Sequence, residues 1–427
     1  MRFSSFCASW SALTALVTLL TIVPSVISQN HTDEESEAQI TDPNLECTPY
    51  NYPPVTQAQA QFPPLWTVAS ILPNDAAAQA KYQSIQGQIP NIPPKGTQPQ
   101  SLTGNFAGFS YPSDDPDCWW TATHCTTPKL AGIPSDTYFA PEPGTLGYGF
   151  DDGPYCGHNG FYDYLQSKDQ TATMFYIGTN VMNVPLEAQR ALADGHEICV
   201  HTWSHRYMTA LTNEQAFAEL YYSEEPIQVI KLVIGVTPTC WRPPYGDVDD
   251  RIRAIAHALG LRNIVWQYDS SDWEGVANVT DANYQSLVDT AKSGAFDDVG
   301  TIFLTHELSN FTMSEAIKWY DTLASAFKYM VPVGVALNVS KPYVEDGYTL
   351  PTFAEYVNGT HVGSIVGIDS PNVTSETTTT TNGPASTSSS SASPHGTTSA
   401  NAASGISFNG MNWLAVMAML VGGVLSG

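Results

Sequence analysis

The segment Gly149-Phe150-Asp151-Asp152-Gly153-Pro154 places two adjacent carboxylates where a predicted strand, Thr145–Phe150, meets a turn. Neighbouring side chains on an extended backbone point to opposite faces, but a Gly-Pro turn can bring both aspartates into one cavity. Like charges that lie so close repel each other unless a cation or a shared proton lies between them. The pair therefore predicts a metal ion, an arginine or both beside it.

The whole chain has room for one large domain with appendages. It contains 427 residues, of which 42% are hydrophobic, and this content supports a substantial core. The formal net charge is −25, with only 16 basic residues, so no basic stripe is present to bind a nucleic acid. An acidic surface suits an extracellular protein or a cationic polymer, and it equally serves solubility alone.

Residues 1–28 predict a secretory signal peptide. The apolar run Ala12–Val23 is too short to span a bilayer, and Val26-Ile27-Ser28 resembles a small-residue cleavage site. Cleavage would remove Cys7 and leave six cysteines, which in an exported chain predict three disulfides. Their pairing stays open, although Cys118–Cys125 is the locally easiest pair.

Glycosylation acceptors agree with export. Six Asn-X-Ser/Thr triplets have a residue other than proline at the middle position. They begin at Asn30, Asn278, Asn310, Asn338, Asn358 and Asn372.

The C-terminal residues predict a stalk and a lipid anchor. Residues 341–400 end in a Ser/Thr-rich tract with few charges, which is typical of a disordered, O-glycosylated stalk. Residues 401–427 combine small residues from Asn401 onward, a polar spacer and the apolar tail Trp413–Leu425. This combination indicates a GPI-anchor signal with the lipid on Asn401. A short tail-anchor helix is the alternative, and the lack of cytoplasmic basic residues argues against it.

Between these ends lie an irregular extension and an alternating α/β region. Residues 29–140 are rich in Pro, Gln and aromatic residues, and they predict an extension wrapped on a catalytic body. Residues 141–340 alternate strand-like and helical runs, which predicts a catalytic domain with a parallel sheet, open or closed into a barrel. The predicted strands are Thr145–Phe150, Thr171–Ile177, His196–Val200, Thr239–Arg242, Asn263–Tyr268, Thr301–Thr305 and Val331–Ala336. The predicted helices are Pro185–Asp194, Thr212–Ile234, Asp249–Leu259, Asp281–Lys292 and Met313–Tyr329.

Chemically active side chains follow these strands at their C-terminal ends, where functional residues of parallel sheets belong. Randomly distributed polar residues would not all fall on one rim, so this placement predicts a site there. The residues concerned are Asp151 and Asp152 after the first strand, His201 and His205 after the third, Arg242 at the end of the fourth, Asp269 and Asp272 after the fifth, and His306 after the sixth.

His201 and His205 lie four residues apart. On one helical turn they would face the same way, and this spacing allows both to bind one transition metal. Alone, such a pair is often incidental. With Asp152 on the same rim it becomes two histidines and one carboxylate, a set that leaves open positions as catalytic metal sites do. Zn²⁺ is the default ion, with Co²⁺ as the other candidate. One aspartate would bind the ion, and the other would take a proton from the water that the metal activates.

Two further segments offer catalytic groups. In Arg242-Pro243-Pro244-Tyr245 the prolines stiffen the backbone, so the Tyr245 amide can face an oxyanion while Arg242 pairs with the free aspartate. A rigid surface loop with a solvated arginine is the alternative. His306 is a candidate general acid or a structural histidine, and Asp272 or Asp269 nearby would keep it protonated.

Five segments, in order, resemble the motifs of the polysaccharide deacetylases, carbohydrate esterase family 4. They are Gly149-Phe150-Asp151-Asp152-Gly153-Pro154, His201-Thr202-Trp203-Ser204-His205, Arg242-Pro243-Pro244-Tyr245, Asp269-Ser270-Ser271-Asp272-Trp273 and Leu304-Thr305-His306. With the signal peptide, stalk and anchor signal, the chain most resembles the fungal cell-wall chitin deacetylases. One departure is Gly149, where the family usually has Thr, and glycine is expected to loosen the strand that presents the aspartates.

The resemblance implies a distorted (β/α) barrel with seven or eight parallel strands and a role for each matching residue. It implies Asp151 as the base, Asp152, His201 and His205 as metal ligands, His306 as the acid, Arg242 as the residue that positions Asp151, Tyr245 as a backbone oxyanion donor, Asp272 as the partner of His306, and Trp273 and Leu304 as the walls of a pocket for the acetyl methyl group.

The expected function is metal-dependent removal of N-acetyl groups from chitin or chitooligosaccharides, at the cell wall and the outer face of a membrane that holds the GPI anchor. Three alternatives are a non-catalytic chitin-binding wall protein, another polysaccharide acetyl esterase, and a protease. The protease is the weakest, because no Glu follows the first histidine as in a His-Glu-X-X-His site.

Overall fold

The computed structural model describes residues 30–97, 106, 108–224, 229–362 and 364–365. The predicted signal peptide, the Ser/Thr-rich tract, the anchor signal with Asn401 and the sequon at Asn372 lie outside the described residues. Within the described ranges, no helix is long and apolar enough to cross a bilayer.

The strands confirm the parallel α/β architecture and divide it between two sheets. One sheet has the order β7-β8-β1-β9 and the other the order β2-β3-β4-β5-β6, all pairs being parallel. A separate antiparallel pair joins β10 to β11. The strands are β1 Thr145–Gly147, β2 Gly149–Gly153, β3 Thr173–Tyr176, β4 Glu197–Val200, β5 Cys240–Trp241, β6 Arg262–Asn263, β7 Tyr268–Asp269, β8 Thr301–Leu304, β9 Tyr329–Val331, β10 Tyr348–Thr349 and β11 Ser364–Ile365.

The first predicted strand, Thr145–Phe150, is in fact two strands that belong to different sheets. Tyr148 separates β1 from β2, and its N–H donates to the carbonyl of Val331 (2.8 Å). Its carbonyl accepts from the N–H of Thr173 (3.0 Å), on the other sheet. A single residue thus transfers the chain between the two sheets, and the apolar pattern is the same on both sides of it.

A second predicted strand, Asn263–Tyr268, is wrong in the same way. Only its two ends lie in strands, as part of β6 and β7. The N–H of Ile264 donates to Trp241 (3.0 Å) in one sheet, and the N–H of Gln267 donates to Ile302 (3.2 Å) in the other. A further parallel bridge pairs Asp151 of β2 with His306, two residues after β8.

The described ranges contain fifteen α-helices. They are α1 Glu34–Glu37, α2 Pro43–Glu46, α3 Pro53–Ala58, α4 Ala76–Ile85, α5 Trp120–Thr123, α6 Asn159–Ser167, α7 Gly178–Asn183, α8 Pro185–Ala193, α9 Asn213–Glu224, α10 Val229–Ile234, α11 Asp250–Ala258, α12 Ala277–Lys292, α13 Asn310–Ala326, α14 Val333–Ala336 and α15 Phe353–Val357. The buried apolar side chains of these helices and of both sheets form one large core and one small one.

Two further element predictions need correction. The predicted helix Thr212–Ile234 comprises two helices, α9 and α10, with separate bounds. The predicted strand Val331–Ala336 is wrong beyond its first residue, because β9 ends at Val331 and α14 follows Pro332. Proline has no N–H for a ladder and is well suited to the start of a helix, so the apolar run after it is helical.

The N-terminal segment 30–140 packs against the α/β region along its length. Cys47 is joined to Cys156, just after β2. The Lys95 ammonium is buried and pairs with Asp117 (2.9 Å) and Asp249 (2.5 Å). The indole N–H of Trp119 donates to Asp247 (2.7 Å). The contacts with Cys156, Asp247 and Asp249 cross from the N-terminal segment to strand–helix connections of the α/β region.

The six cysteines that would remain in an exported chain form three disulfides. Cys118–Cys125 confirms the predicted local pair, and the others are Cys47–Cys156 and Cys199–Cys240. The last pair links β4 to β5, two residues before His201 and Arg242 on each strand. It therefore ties together two adjacent strands that carry site residues.

Four of the predicted glycosylation acceptors are exposed. They are Asn278, Asn310, Asn338 and Asn358, while Asn30 is half-buried. Their positions on the surface are compatible with attached glycans, and their modification stays a prediction.

Candidate active site

The rim predicted from the sequence exists. Asp151 and Asp152 were predicted to follow the first strand, but they lie within β2, which extends to Gly153. His201 follows β4, Arg242 follows β5, and His306 lies two residues beyond β8. Since parallel strands present their C-terminal ends at the same edge, these side chains meet although they are far apart in sequence.

The three predicted metal ligands converge. The Oδ1 atom of Asp152 lies 3.3 Å from Nε2 of His201 and 3.1 Å from Nε2 of His205. One donor atom from each residue lies within 4.8 Å of the others. Asp152 Oδ1 is buried and has no hydrogen-bond partner, as expected of a donor kept for a cation. The set of two imidazole nitrogens and one carboxylate oxygen therefore fits a transition-metal ion.

The other nitrogen of each imidazole is engaged by the protein. His201 Nδ1 lies 2.8 Å from the carbonyl of Arg242, and His205 Nδ1 lies 3.1 Å from the hydroxyl of Tyr245. A carbonyl can only accept, so Nδ1 of His201 carries the proton and Nε2 has its lone pair toward Asp152. Such partners fix the tautomer and the orientation of ligating histidines.

The electrostatics of this group favour an ionised Asp152 carboxylate and a neutral His205 imidazole. Burial opposes ionisation of Asp152, but the facing imidazoles of His205 and His201 hold its pKa well below the ordinary value. Burial lowers the pKa of His205 despite the opposing charge of Asp152. An ionised carboxylate and a neutral imidazole are the protonation states that bind a metal ion.

The backbone around the ligands is strained. Asp152 (φ 73°), Thr202 (φ 65°), His205 (φ 54°) and Tyr245 (φ 59°) all adopt left-handed conformations without being glycine. Each such residue costs about 1–3 kcal/mol and persists only where its surroundings impose it. For Asp152 one of these constraints is Asn180, whose side-chain amide donates to the Asp152 carbonyl (2.7 Å).

Asp151 is paired with Arg242, and the alternative of a solvated arginine is wrong. Arg242 Nη1 donates to Asp151 Oδ1 at 2.6 Å, and the guanidinium is fully buried with its carbon 3.9 Å from the ring centre of Phe175. Asp151 Oδ2 lies 3.8 Å from Nε2 of His201. One carboxylate oxygen is thus held by the arginine while the other faces the metal ligands.

His306 is paired with Asp272, which decides between the two predicted carboxylates. Nδ1 of His306 lies 2.6 Å from Asp272 Oδ1, and its backbone N–H donates to Asp272 Oδ2 at 3.1 Å. Asp269 instead accepts from the N–H of Ser271 (2.7 Å). Burial disfavours the charged imidazole, but the charge and hydrogen bond of Asp272 outweigh it and raise the pKa of His306 to about 10.

The remaining predicted residues frame the site to different degrees. Leu304 is buried at the end of β8, whereas Trp273 is 48% exposed on the turn Asp272–Glu274. Tyr245 lies in the turn Pro244–Gly246, and its ring stacks on Tyr207 with the centroids 4.1 Å apart.

Several supporting residues were not predicted from the sequence. Glu307, beside His306, is fully buried and accepts from the N–H of Tyr155 (2.9 Å) and the hydroxyl of Tyr162 (2.9 Å). It also contacts Nδ1 of His158 (2.7 Å). The sequence signal that could have identified Glu307 is its position directly after His306, the candidate acid. Its hydrogen-bond partners follow only from the fold.

The fold and site define an α/β protein with a rim centre of two histidines and one aspartate, flanked by an aspartate–arginine pair and an aspartate–histidine pair. The sequence profile described as polysaccharide deacetylase matches residues 140–264. A relative named chitin deacetylase 2, from Cryptococcus neoformans var. grubii, is 49% identical over 346 residues, covering 79% of this chain and 74% of that protein. The chitin deacetylase of Amylomyces rouxii is 39% identical over 348 residues, covering 79% of each chain. The chain belongs to the polysaccharide deacetylase family.

Among solved structures, the chitin deacetylase of Colletotrichum lindemuthianum is similar with a TM-score of 0.44 and 24% identity, covering 48% of this chain and 92% of that one. Polysaccharide deacetylases of this class depend on a metal ion, and the group Asp152, His201 and His205 can hold one.

Proposed function

We propose that the protein hydrolyses the N-acetyl groups of N-acetylglucosamine units in chitin, releasing acetate and leaving chitosan. Relatives named chitin deacetylases, 49% and 39% identical over 79% of the chain, support the substrate and the reaction. The observation that carries the mechanism is the juxtaposition of three groups on one rim, namely the metal ligands, the Asp151–Arg242 pair and the Asp272–His306 pair.

Asp152, His201 and His205 would hold one divalent ion, Zn²⁺ or Co²⁺. Bound there, such an ion supplies Lewis-acid polarisation of a carbonyl and lowers the pKa of water. Imidazole nitrogens favour Zn²⁺ and related ions over Mg²⁺ or Ca²⁺. Both Nδ1 atoms are engaged by the protein, so the Nε2 atoms are the ones offered to the ion.

Asp151 is the proposed general base. Arg242 holds its Oδ1 at 2.6 Å, which fixes the carboxylate and offsets part of its charge beside Asp152. The remaining oxygen, Oδ2, lies on the side of His201 and is positioned to accept a proton from the attacking water. Asp152 cannot take this role while its carboxylate is a ligand.

His306 is the proposed general acid. Its pKa of about 10 keeps the imidazole protonated at neutral pH, and Asp272 holds Nδ1, so Nε2 is the nitrogen that can donate. Protonation of the nitrogen lets the C–N bond of the amide break, and the products are acetate and a free amine. The base and the acid are thereby separate groups with opposite protonation states, as this hydrolysis requires.

Three residues are proposed to shape the substrate pocket. The backbone N–H of Tyr245 would stabilise the oxyanion, in a turn whose left-handed conformation (φ 59°) reorients the peptide group. Leu304 and Trp273 would contact the acetyl methyl group. The 48% exposure of Trp273 leaves one face of its ring available to a polymer chain.

We further propose an extracellular location at the fungal cell wall, with a GPI anchor on Asn401. The three disulfides support an oxidising compartment, and the exposed acceptors Asn278 and Asn310 are compatible with glycosylation.

The test is mass analysis of N-acetylglucosamine oligomers incubated with metal-free, Zn²⁺-loaded and Co²⁺-loaded protein, with acetylated xylan as a second substrate. We expect metal-dependent loss of acetyl groups from the glucosamine oligomers. Acetate release only from xylan would redirect the proposal to an acetyl esterase. No release from either substrate by metal-loaded, folded protein would favour a binding protein.

A further inference from the structure

A second group of potential metal ligands lies where the N-terminal segment meets α8. One donor atom from each of His31, Glu37 and Glu187 lies within 4.8 Å of the others. Glu37 ends α1, His31 precedes that helix, and Glu187 lies in the first turn of α8. None of these residues belongs to the rim site.

Each member of this group has a polar atom without a partner. The atoms are Nδ1 of His31, Oε2 of Glu37 and Oε1 of Glu187. Both glutamates have no exposed surface. A buried carboxylate oxygen without a partner is costly, because it has lost its water and gained nothing in return.

The second polar atom of each side chain is engaged, which orients the group. His31 Nε2 lies 3.2 Å from the Leu45 carbonyl, so this nitrogen carries the proton and leaves a lone pair on Nδ1. Glu37 Oε1 accepts from the Asn159 side chain at 3.0 Å. Glu187 Oε2 accepts from the hydroxyl of Tyr50, whose ring stacks on His31 at 4.5 Å. This is how protein partners fix metal-ligating side chains.

The neighbouring basic residue, Arg190, forms its ion pairs with other carboxylates. The guanidinium of Arg190 binds Asp163 (2.5 Å), Asp194 (3.2 Å) and the side-chain oxygen of Asn159 (2.6 Å). No lysine or arginine within the described ranges forms an ion pair with Glu37 or Glu187. Burial, and next the charge of Glu37, raise the pKa of Glu187 well above its ordinary value, as a missing counter-charge would.

We propose that His31, Glu37 and Glu187 bind a second divalent metal ion, with Zn²⁺ as the best match. One imidazole nitrogen and two carboxylate oxygens are donors that Zn²⁺ accepts, and water would complete a tetrahedral set. Zinc bonds of about 2.0–2.2 Å require donors no more than about 4.4 Å apart. Binding therefore draws the three atoms slightly together and fastens the N-terminal segment to α8.

This ion is structural and takes no part in acetyl removal. It acts beside the Cys47–Cys156 disulfide, which ties the same N-terminal segment to the chain after β2. The presence of this second metal site is therefore independent of the proposed function.

The test counts ions in full-length protein by plasma mass spectrometry after exposure to Zn²⁺ and removal of free metal. The background variant Asp152→Asn/His205→Ala disables the rim site. We expect one ion in this background, none after adding Glu187→Gln, and one after adding Glu35→Gln, an exposed control on α1. We also expect Zn²⁺ to raise the Tm of the background variant by a few degrees and to leave the Glu187→Gln derivative unchanged.

The uncharged glutamine keeps an oxygen for Tyr50 and removes a repulsive charge, so without a second ion this change would be neutral or stabilising. A folded background variant that holds no zinc would overturn the proposal. So would an undiminished ion count after Glu187→Gln. If the background variant fails to fold, the same comparison is made in the otherwise unaltered protein, where two ions are expected and Glu187→Gln should leave one.

Discussion

Replacement of Asp272 by Asn tests the acid–base assignment of the site most directly. In the protein, Asp272 Oδ1 lies 2.6 Å from Nδ1 of His306, and both residues are buried. Burial alone favours neutral imidazole; the charge of Asp272 makes the largest opposing contribution, ahead of Asp152 and Asp151, and together they raise the pKa of His306 to about 10. Asparagine has nearly the same shape and removes that charge.

The expected size of the effect follows from this geometry. An opposite charge at hydrogen-bonding distance typically shifts a pKa by about 1–3 units, equivalent to about 1.4–4 kcal/mol. Without it, the pKa of His306 should fall from about 10 to about 7–9. A general acid works only while protonated, so activity is lost as the pH rises through its pKa.

The assay is acetate release from an N-acetylglucosamine oligomer, measured as kcat/KM between pH 6 and pH 11 with the metal-loaded enzyme. We expect the basic limb of the profile to move down by about 1–3 pH units in Asp272→Asn. Glu274→Gln is the control, because Glu274 is exposed on the same short turn and should leave the profile in place. Thermal melts would establish that both variants remain folded.

An unchanged basic limb in folded Asp272→Asn, with or without a lower maximum rate, would refute the assignment of His306 as the acid. A limb that moved equally in Glu274→Gln would show that general surface charge, rather than the Asp272–His306 pair, sets the profile.

Three further predictions concern the base, the metal ligands and the β4–β5 disulfide. Asp151→Asn should lower kcat by at least about 10²–10⁴-fold with metal content unchanged, and full acetate release would contradict the base assignment. Asp152→Asn or His205→Ala should each cost one bound ion per chain by plasma mass spectrometry; retention of the full complement would contradict the ligand set. Replacing both Cys199 and Cys240 by Ala should lower the free energy of unfolding in urea by about 2–5 kcal/mol, and an unchanged urea midpoint would show that the β4–β5 link adds no stability.

The parallel architecture could be predicted because alternating apolar runs and helical patterns carry it locally. The predicted strands around Thr173–Tyr176, Glu197–Val200 and Thr301–Leu304 are confirmed with shifts of at most two residues at either end. The division into two sheets could not be predicted. At Tyr148 the direction of two backbone hydrogen bonds decides it, and the side-chain pattern does not change there.

The composition of the rim site was likewise accessible from the sequence, since its residues follow strands whose C-terminal ends must share an edge. The hydrogen-bond partner of each residue could not be predicted from the sequence. Asp272 rather than Asp269 pairs with His306, and the Tyr245 hydroxyl reaches Nδ1 of His205, because the folded backbone of each connection decides where these atoms lie.

Residue types at strand ends thus predicted an acid, a base and metal ligands for this chain, because charge and donor chemistry are properties of single side chains. Tertiary structure decided which atoms meet, and it alone brought Glu187 to His31 and Glu37. The contact between His31 and Glu187 depends on more than a hundred intervening residues folding between them, and no local pattern of spacing or hydrophobicity records such a distance.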